Sequence, residues 1–215
     1  MKKIIWARWR VGDQRSYRMI SLIDYGAGNL LSVANALKHL NVDFQLTEDP
    51  ETLAGADKVI FPGVGAAAAC MEELRTRGLD EAVRSCEQPV LGICLGMQVF
   101  TPSSTEGLRE VKCLGILPGH TARFQGAVKL PQIGWNTVTT LRSDPLFHAI
   151  KSGAYFYFLH SYRVHTDPAF VLAETDYEGP FPSAVRRENF WGVQFHPEKS
   201  GPSGLKLLSN FAERC

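Results

Sequence analysis

Val90-Leu91-Gly92-Ile93-Cys94-Leu95-Gly96-Met97-Gln98 is the stretch on which the reading of this chain turns. Its first half, led in by Pro89, is a short apolar run of the kind that forms a strand buried on both faces. From Leu95 to Phe100 the pattern reads as the start of a helix. A cysteine at that junction, with glycine two positions away on each side, has the form of a nucleophile elbow with Cys in place of Ser. A side chain at Gly92 or Gly96 would crowd a turn tight enough to push the sulfur into a cleft. Unpaired N–H groups at the helix start favour a thiolate, and the N–H of Leu95 points to where an oxyanion would develop. A buried structural cysteine ending a core strand fits the same residues, so the elbow needs a base.

Outward from this stretch, the first half alternates short apolar runs with helical stretches: 20–24, 29–40, 42–47, 58–61 and 67–77. That is the rhythm of a parallel sheet with crossover helices. After Cys113 the texture changes to extended segments with Gly and Pro turns, at 121–130, 155–164 and 184–195, which read as antiparallel or mixed additions at a sheet edge. A closing helix over 201–214 places Leu205, Leu208 and Phe211 at helical spacing. The class is α/β, with no repeat and no linker.

The base is sought among six histidines. His39 ends an amphipathic helix, and His120 and His148 lie in polar connections. His196 differs, because it follows the apolar run Trp191-Gly192-Val193-Gln194-Phe195 and precedes Pro197-Glu198. A rigid turn there sets an acid two residues from an imidazole at a strand end. In a Cys-His-acid relay the imidazole takes the thiol proton and returns it to the leaving amine, while the acid orients the ring. Without the elbow, the same segment would read as an exposed turn.

The totals narrow the class. At 215 residues and 45% hydrophobic the chain suits one domain, and a net charge of +1 gives no field for nucleic acid or a membrane. The charge is uneven: residues 1–18 carry Lys2, Lys3, Arg8, Arg10, Arg15 and Arg18 against Asp13 alone. This segment lacks the uninterrupted apolar stretch of a secretory signal and reads as a basic extension or an over-extended start ahead of Met19, with the domain proper at 19–215. Five cysteines without a C-x-x-C pair point to a reducing cytoplasm, with no disulfide framework and no metal.

Taken together, Gly92 to Gln98 and Gly192 to Glu198 resemble the two signature segments of the class I, triad-type glutamine amidotransferases. Further matches are Asp24 to Asn29, Pro62 to Gly65, Leu114 to Gly119, Ile133 to Asn136 and His160 to Tyr162. In this order they resemble the glutaminase subunits of imidazole glycerol phosphate synthase, the HisH type, from about Met19 onward. The resemblance implies a flavodoxin-like αβα three-layer fold, a mainly parallel central sheet with added antiparallel strands, and Cys94, His196 and Glu198 as the triad. It further implies an oxyanion hole from Gly63, Val64 and Leu95, and glutamine contacts from Gln98, Glu106, His160, Ser161 and Tyr162. No cofactor is called for. Ammonia would pass to a (βα)₈-barrel synthase subunit, with Tyr25, Asn29, Trp135 and Asn136 as interface residues; packing inside the core is an equal alternative for Trp135.

Three segments depart from the family pattern: Gln132, where histidine is usual; Ala66 to Ala69, where an aromatic and a glycine are usual; and Val99 to Pro102 after the nucleophile. All lie near segments expected to bind substrate or partner. They leave room for a paralogous glutaminase feeding another barrel, such as one acting on a sugar nucleotide or polysaccharide precursor. A catalytically silent regulatory module and a stand-alone γ-glutamyl hydrolase are the remaining alternatives.

Overall fold

The computed structural model describes residues 19–26, 29–107 and 109–215, so the basic segment 1–18 lies outside the described residues. The elements in chain order are β1 (Ile20–Ile23), α1 (Leu30–His39), β2 (Phe44–Thr47), α2 (Pro50–Ala54), β3 (Lys58–Gly63), α3 (Ala67–Thr76), α4 (Leu79–Arg84), β4 (Val90–Cys94) and α5 (Leu95–Gln98). There follow β5 (Ser103–Ser104), β6 (Val111–Lys112), β7 (His120–Arg123), β8 (Gln132–Thr140), β9 (Ala154–His160), β10 (Tyr162–His165), β11 (Val171–Asp176), β12 (Pro180–Arg187), β13 (Phe190–Val193) and α6 (Gly201–Arg214).

Nine strands form one sheet in the order β2-β1-β3-β4-β13-β12-β11-β8-β9. The five from β2 to β13 run parallel, and β12, β11, β8 and β9 continue antiparallel. Every residue of β1, β3, β4 and β13 is buried, which is why their sequences are continuous apolar runs rather than alternations. One face packs on α1 and α6 through Val33, Leu37, Leu207 and Phe211. The other packs on α3 and α4 through Met71, Leu74, Leu79 and Val83. The αβα expectation holds.

Three local features differ from the sequence reading. The helix after Cys94 stops at Gln98 instead of running to Phe100; Pro102 disfavours helical geometry at Thr101, and the hydroxyls of Thr101 and Thr121 each reach the freed Gln98 carbonyl at 2.9 Å. The segment 155–164 is two strands, not one, because the chain leaves the large sheet at Ser161 to join a four-stranded sheet, β10-β7-β5-β6. The segment 184–195 spans a turn, and its second arm, β13, lies inside the sheet beside β4 rather than at an edge.

That last placement positions the site. Gly63 of β3 pairs with Cys94, and Val193 of β13 pairs with Ile93. The carboxyl ends of three adjacent parallel strands therefore finish together, and this is where open α/β sheets leave a crevice for ligands.

Candidate active site

Cys94 ends β4 with φ 55° and ψ −107°, a positive-φ conformation outside the left-handed helical region that a side-chain-bearing residue adopts only under constraint. The glycines explain how the turn closes. A Cβ at Gly96 would lie 2.1 Å from the Phe61 carbonyl oxygen, and one at Gly92 would lie 2.7 Å from the Phe100 ring. Gly63 is equally tight, since a Cβ there would meet the Gly96 nitrogen at 2.8 Å. Backbone thus packs directly on backbone around the cysteine, which is 6% exposed. Its Sγ lies 3.7 Å from the Leu159 carbonyl oxygen, to which a thiol donates, and 3.6 Å from the Gln194 side-chain nitrogen.

His196 is fixed from several sides. Its backbone N–H donates to the Tyr157 carbonyl at 2.8 Å, and the Ser200 hydroxyl donates to its own carbonyl at 2.6 Å. Pro197 then opens a 3₁₀ turn, Pro197–Lys199, which swings Glu198 back so that its Oε1 sits 2.8 Å from His196 Nδ1. Both side chains are shut off from solvent, at 1% and 0% exposure. A carboxylate only accepts, so Nδ1 carries a proton toward Glu198, and Nε2 is the nitrogen left to exchange a proton with the site. Nε2 is buried and makes no hydrogen bond of good geometry among the described residues. Burial pushes this imidazole down, but negative charge at the neighbouring Cys94 and the Glu198 carboxylate outweigh it and hold the ring up at about 10.

A cavity of about 220 Å³ opens on Cys94 and His196, with Val64, Gly65 and Leu95 along one wall. Gln98, Glu106, His160, Ser161 and Tyr162 line the rest, so every residue expected to contact glutamine faces one space. Glu106 accepts from the Ala67 N–H at 2.7 Å; burial raises its pKa, opposed by that N–H. His160 Nδ1 donates to the Tyr162 carbonyl at 2.8 Å. Burial, together with the nearby His196, takes the His160 ring down to about 4, against the opposing pull of that carbonyl, so it is neutral near pH 7. A larger open groove, about 900 Å³, lies along 140–150. Its buried acid, Asp144, is used up by Arg186, Trp191 and the Leu146 N–H.

The four residues named as interface groups go to different places. Tyr25 is inside, 3% exposed and edge-on to Phe61, with its hydroxyl against Gly63; the loop after β1 turns inward there. Asn29 sits behind the histidine and donates to Glu198 Oε1. Asn136 turns along the sheet to donate to the Asp176 carbonyl at 2.9 Å. Trp135 is on the surface, 56% exposed, so the core alternative fails for it. Two groups that lie against the Cys94 sulfur escape the sequence reading. Gln194 reads there only as part of a strand, although a polar residue two positions before His196 points to the same side as that histidine. The Leu159 carbonyl has no sequence signal at all.

No cluster of three or more potential metal ligands occurs among the described residues, and no helix among them is long and apolar enough to cross a membrane. The family model of class I glutamine amidotransferases matches residues 21–215. With the fold and the elbow in place, the chain belongs to that family.

Within it, the chain is 45% identical over 194 residues to the imidazole glycerol phosphate synthase subunit HisH of Archaeoglobus fulgidus, covering 90% of this chain and 97% of that one. It is 49% identical over 197 residues to the subunit of the same name from Dehalococcoides mccartyi, covering 90% and 96%. Among solved structures, a glutamine amidotransferase superposes with a TM-score of 0.71 at 20% identity, over 90% of this chain and 97% of that chain. A glutamine amidotransferase from Thermotoga maritima gives 0.63 at 16%, over 92% and 83%. These distant likenesses speak to the fold.

Proposed function

We propose that this chain is the glutaminase subunit of an imidazole glycerol phosphate synthase, making ammonia from glutamine within one domain, 19–215. The observation that carries the reading is the buried line from Glu198 through His196 to Cys94 at the mouth of the cavity. In the proposed chemistry the Cys94 thiolate attacks the side-chain amide carbon. The N–H groups of Leu95 and of the Gly63-Val64 segment hold the oxyanion, where one donor is worth roughly 3 to 4 kcal/mol. His196 protonates the departing nitrogen, and ammonia leaves a γ-glutamyl thioester. His196 then draws a proton from water, which attacks the thioester, releases glutamate and restores the Cys94 thiolate beside a protonated His196.

The family membership and the names its relatives carry favour imidazole glycerol phosphate synthesis, a step of histidine biosynthesis, over a paralogous acceptor. The partner would be a (βα)₈-barrel subunit that uses the ammonia to form imidazole glycerol phosphate and aminoimidazole carboxamide ribotide. Free ammonia is protonated in water and its ammonium form is no nucleophile, so a docked partner is chemically reasonable. A surface for it stands beside the cavity. Directly opposed pairs on β8 and β9, Ile133 with Leu159 and Trp135 with Tyr157, share one face, and Ile133, Trp135 and Tyr155 are each more than half exposed. An apolar face of this kind is the usual centre of a protein interface. Cytoplasmic residence fits five free cysteines.

The test is co-purification followed by amide-labelled glutamine. The reading requires a barrel partner with phosphorylated-ribonucleotide sites, and label from the glutamine amide in the imidazole product even with excess unlabelled ammonium present. A partner lacking those sites would overturn the acceptor.

A further inference from the structure

We propose that Gln194 is a catalytic residue whose side-chain amide donates to the Cys94 sulfur and holds it as a thiolate, and that Gln98 fixes the direction of that amide. The inference rests on Cys94 being the nucleophile.

The orientation follows from donors and acceptors alone. Gln98 Nε2 reaches the Tyr162 carbonyl at 2.9 Å and Gln194 Oε1 at 3.0 Å. A backbone carbonyl only accepts, so the Gln98 atom facing it is the NH₂, and the Gln194 atom facing that NH₂ is the oxygen. The remaining end of the Gln194 amide, its NH₂, is then the end 3.6 Å from Cys94 Sγ. Gln194 is wholly buried and Gln98 is 5% exposed, so neither amide turns without losing partners in a dry site.

The sulfur sits between opposing influences. The Leu159 carbonyl, 3.7 Å away, accepts from a thiol and repels a thiolate. Gln194 does the reverse, since hydrogen bonding to the charged form favours that form. His196 is the cation facing the sulfur, and Tyr25, the other titratable group beside it, is kept neutral by burial. His196 supplies charge that leaves when it gives up its proton, whereas the Gln194 dipole stays in place through both halves of the reaction.

The experiment is the pH profile of Cys94 alkylation by iodoacetamide in the full chain, read peptide by peptide so that Cys70, Cys86, Cys113 and Cys215 serve as internal references. Gln194→Met keeps the volume and removes the donor; Gln194→Glu keeps the shape and places a carboxylate there. Both variants should move the Cys94 profile to higher pH and slow its alkylation at pH 7 by roughly tenfold, the usual worth of a hydrogen bond to a charged group. The reference cysteines should be unchanged.

If wild-type Cys94 alkylates no faster than the buried reference cysteines, the nucleophile reading itself fails. If it is fast and neither folded variant shifts its profile, only the role of Gln194 fails. A measurement on the wild-type chain needs no variant: the side-chain amide protons of Gln194, followed by NMR, should shift on alkylation of Cys94. Unmoved resonances would overturn the proposal.

Discussion

Asn29 donates from its side-chain nitrogen to the same Glu198 oxygen that holds His196 Nδ1. Glu198 is therefore gripped from the β1–α1 loop as well as from its own turn, and the imidazole is oriented through both. Asn29→Ala should lower kcat for glutamine hydrolysis by roughly tenfold with little change in KM, the loss expected for a hydrogen bond to a charged group. Asn29→Asp sets a second carboxylate against Glu198 and should be worse. Steady-state kinetics of the partner-bound protein decide this, and a pure KM effect would place Asn29 in substrate binding.

Removing the sulfur separates the two halves of the chemistry. Cys94→Ala should abolish glutamine-dependent synthesis by the complex, while added ammonium salts restore it, measured as imidazole product formed from each nitrogen source. Without that rescue, the cysteine would be needed for folding or docking.

Gly96→Ala should destabilise the chain by at least about 3 kcal/mol, because the new methyl meets fixed backbone at the Phe61 carbonyl, 2.1 Å away. Gly65→Ala meets nothing within 4 Å and carries only the cost of its φ of 95°, roughly 1 to 3 kcal/mol. Urea unfolding midpoints rank the two, and equal losses would argue against the close approach at the elbow.

The glycine spacing made that elbow legible in the sequence, and the apolar runs made the parallel half of the sheet legible. Pro197 signalled the turn that returns Glu198 to His196. What escaped depends on contacts across the fold. Gln194 and Gln98 are 96 positions apart, and Asn29 and Glu198 are 169, so no local pattern connects them. The resemblance alone points to Tyr25 as an interface residue; its burial comes from packing on Phe61 of the neighbouring strand. The break at Ser161 was hidden because β9 and β10 are both extended and differ only in which sheet they join.

Acid stability should report the neutral His160. Burial takes its pKa down to about 4 from the ordinary 6.5, so between those values the unfolded chain binds a proton that the folded chain excludes. Stability from this group is complete above pH 6.5 and falls as pH drops toward 4, by at most about 3 kcal/mol. Denaturation at stepped pH should give a shallower acid slope for His160→Gln than for wild type. Identical slopes would mean that the ring is protonated inside the fold.

The central claim, that Cys94 attacks glutamine, is tested most directly by labelling the partner-bound protein with a glutamine-like diazoketone and locating the adduct by mass spectrometry. One adduct per chain, on Cys94, formed in step with loss of glutaminase activity and slowed by glutamine, is the result predicted. An unlabelled Cys94, or activity that survives its complete labelling, would contradict the account.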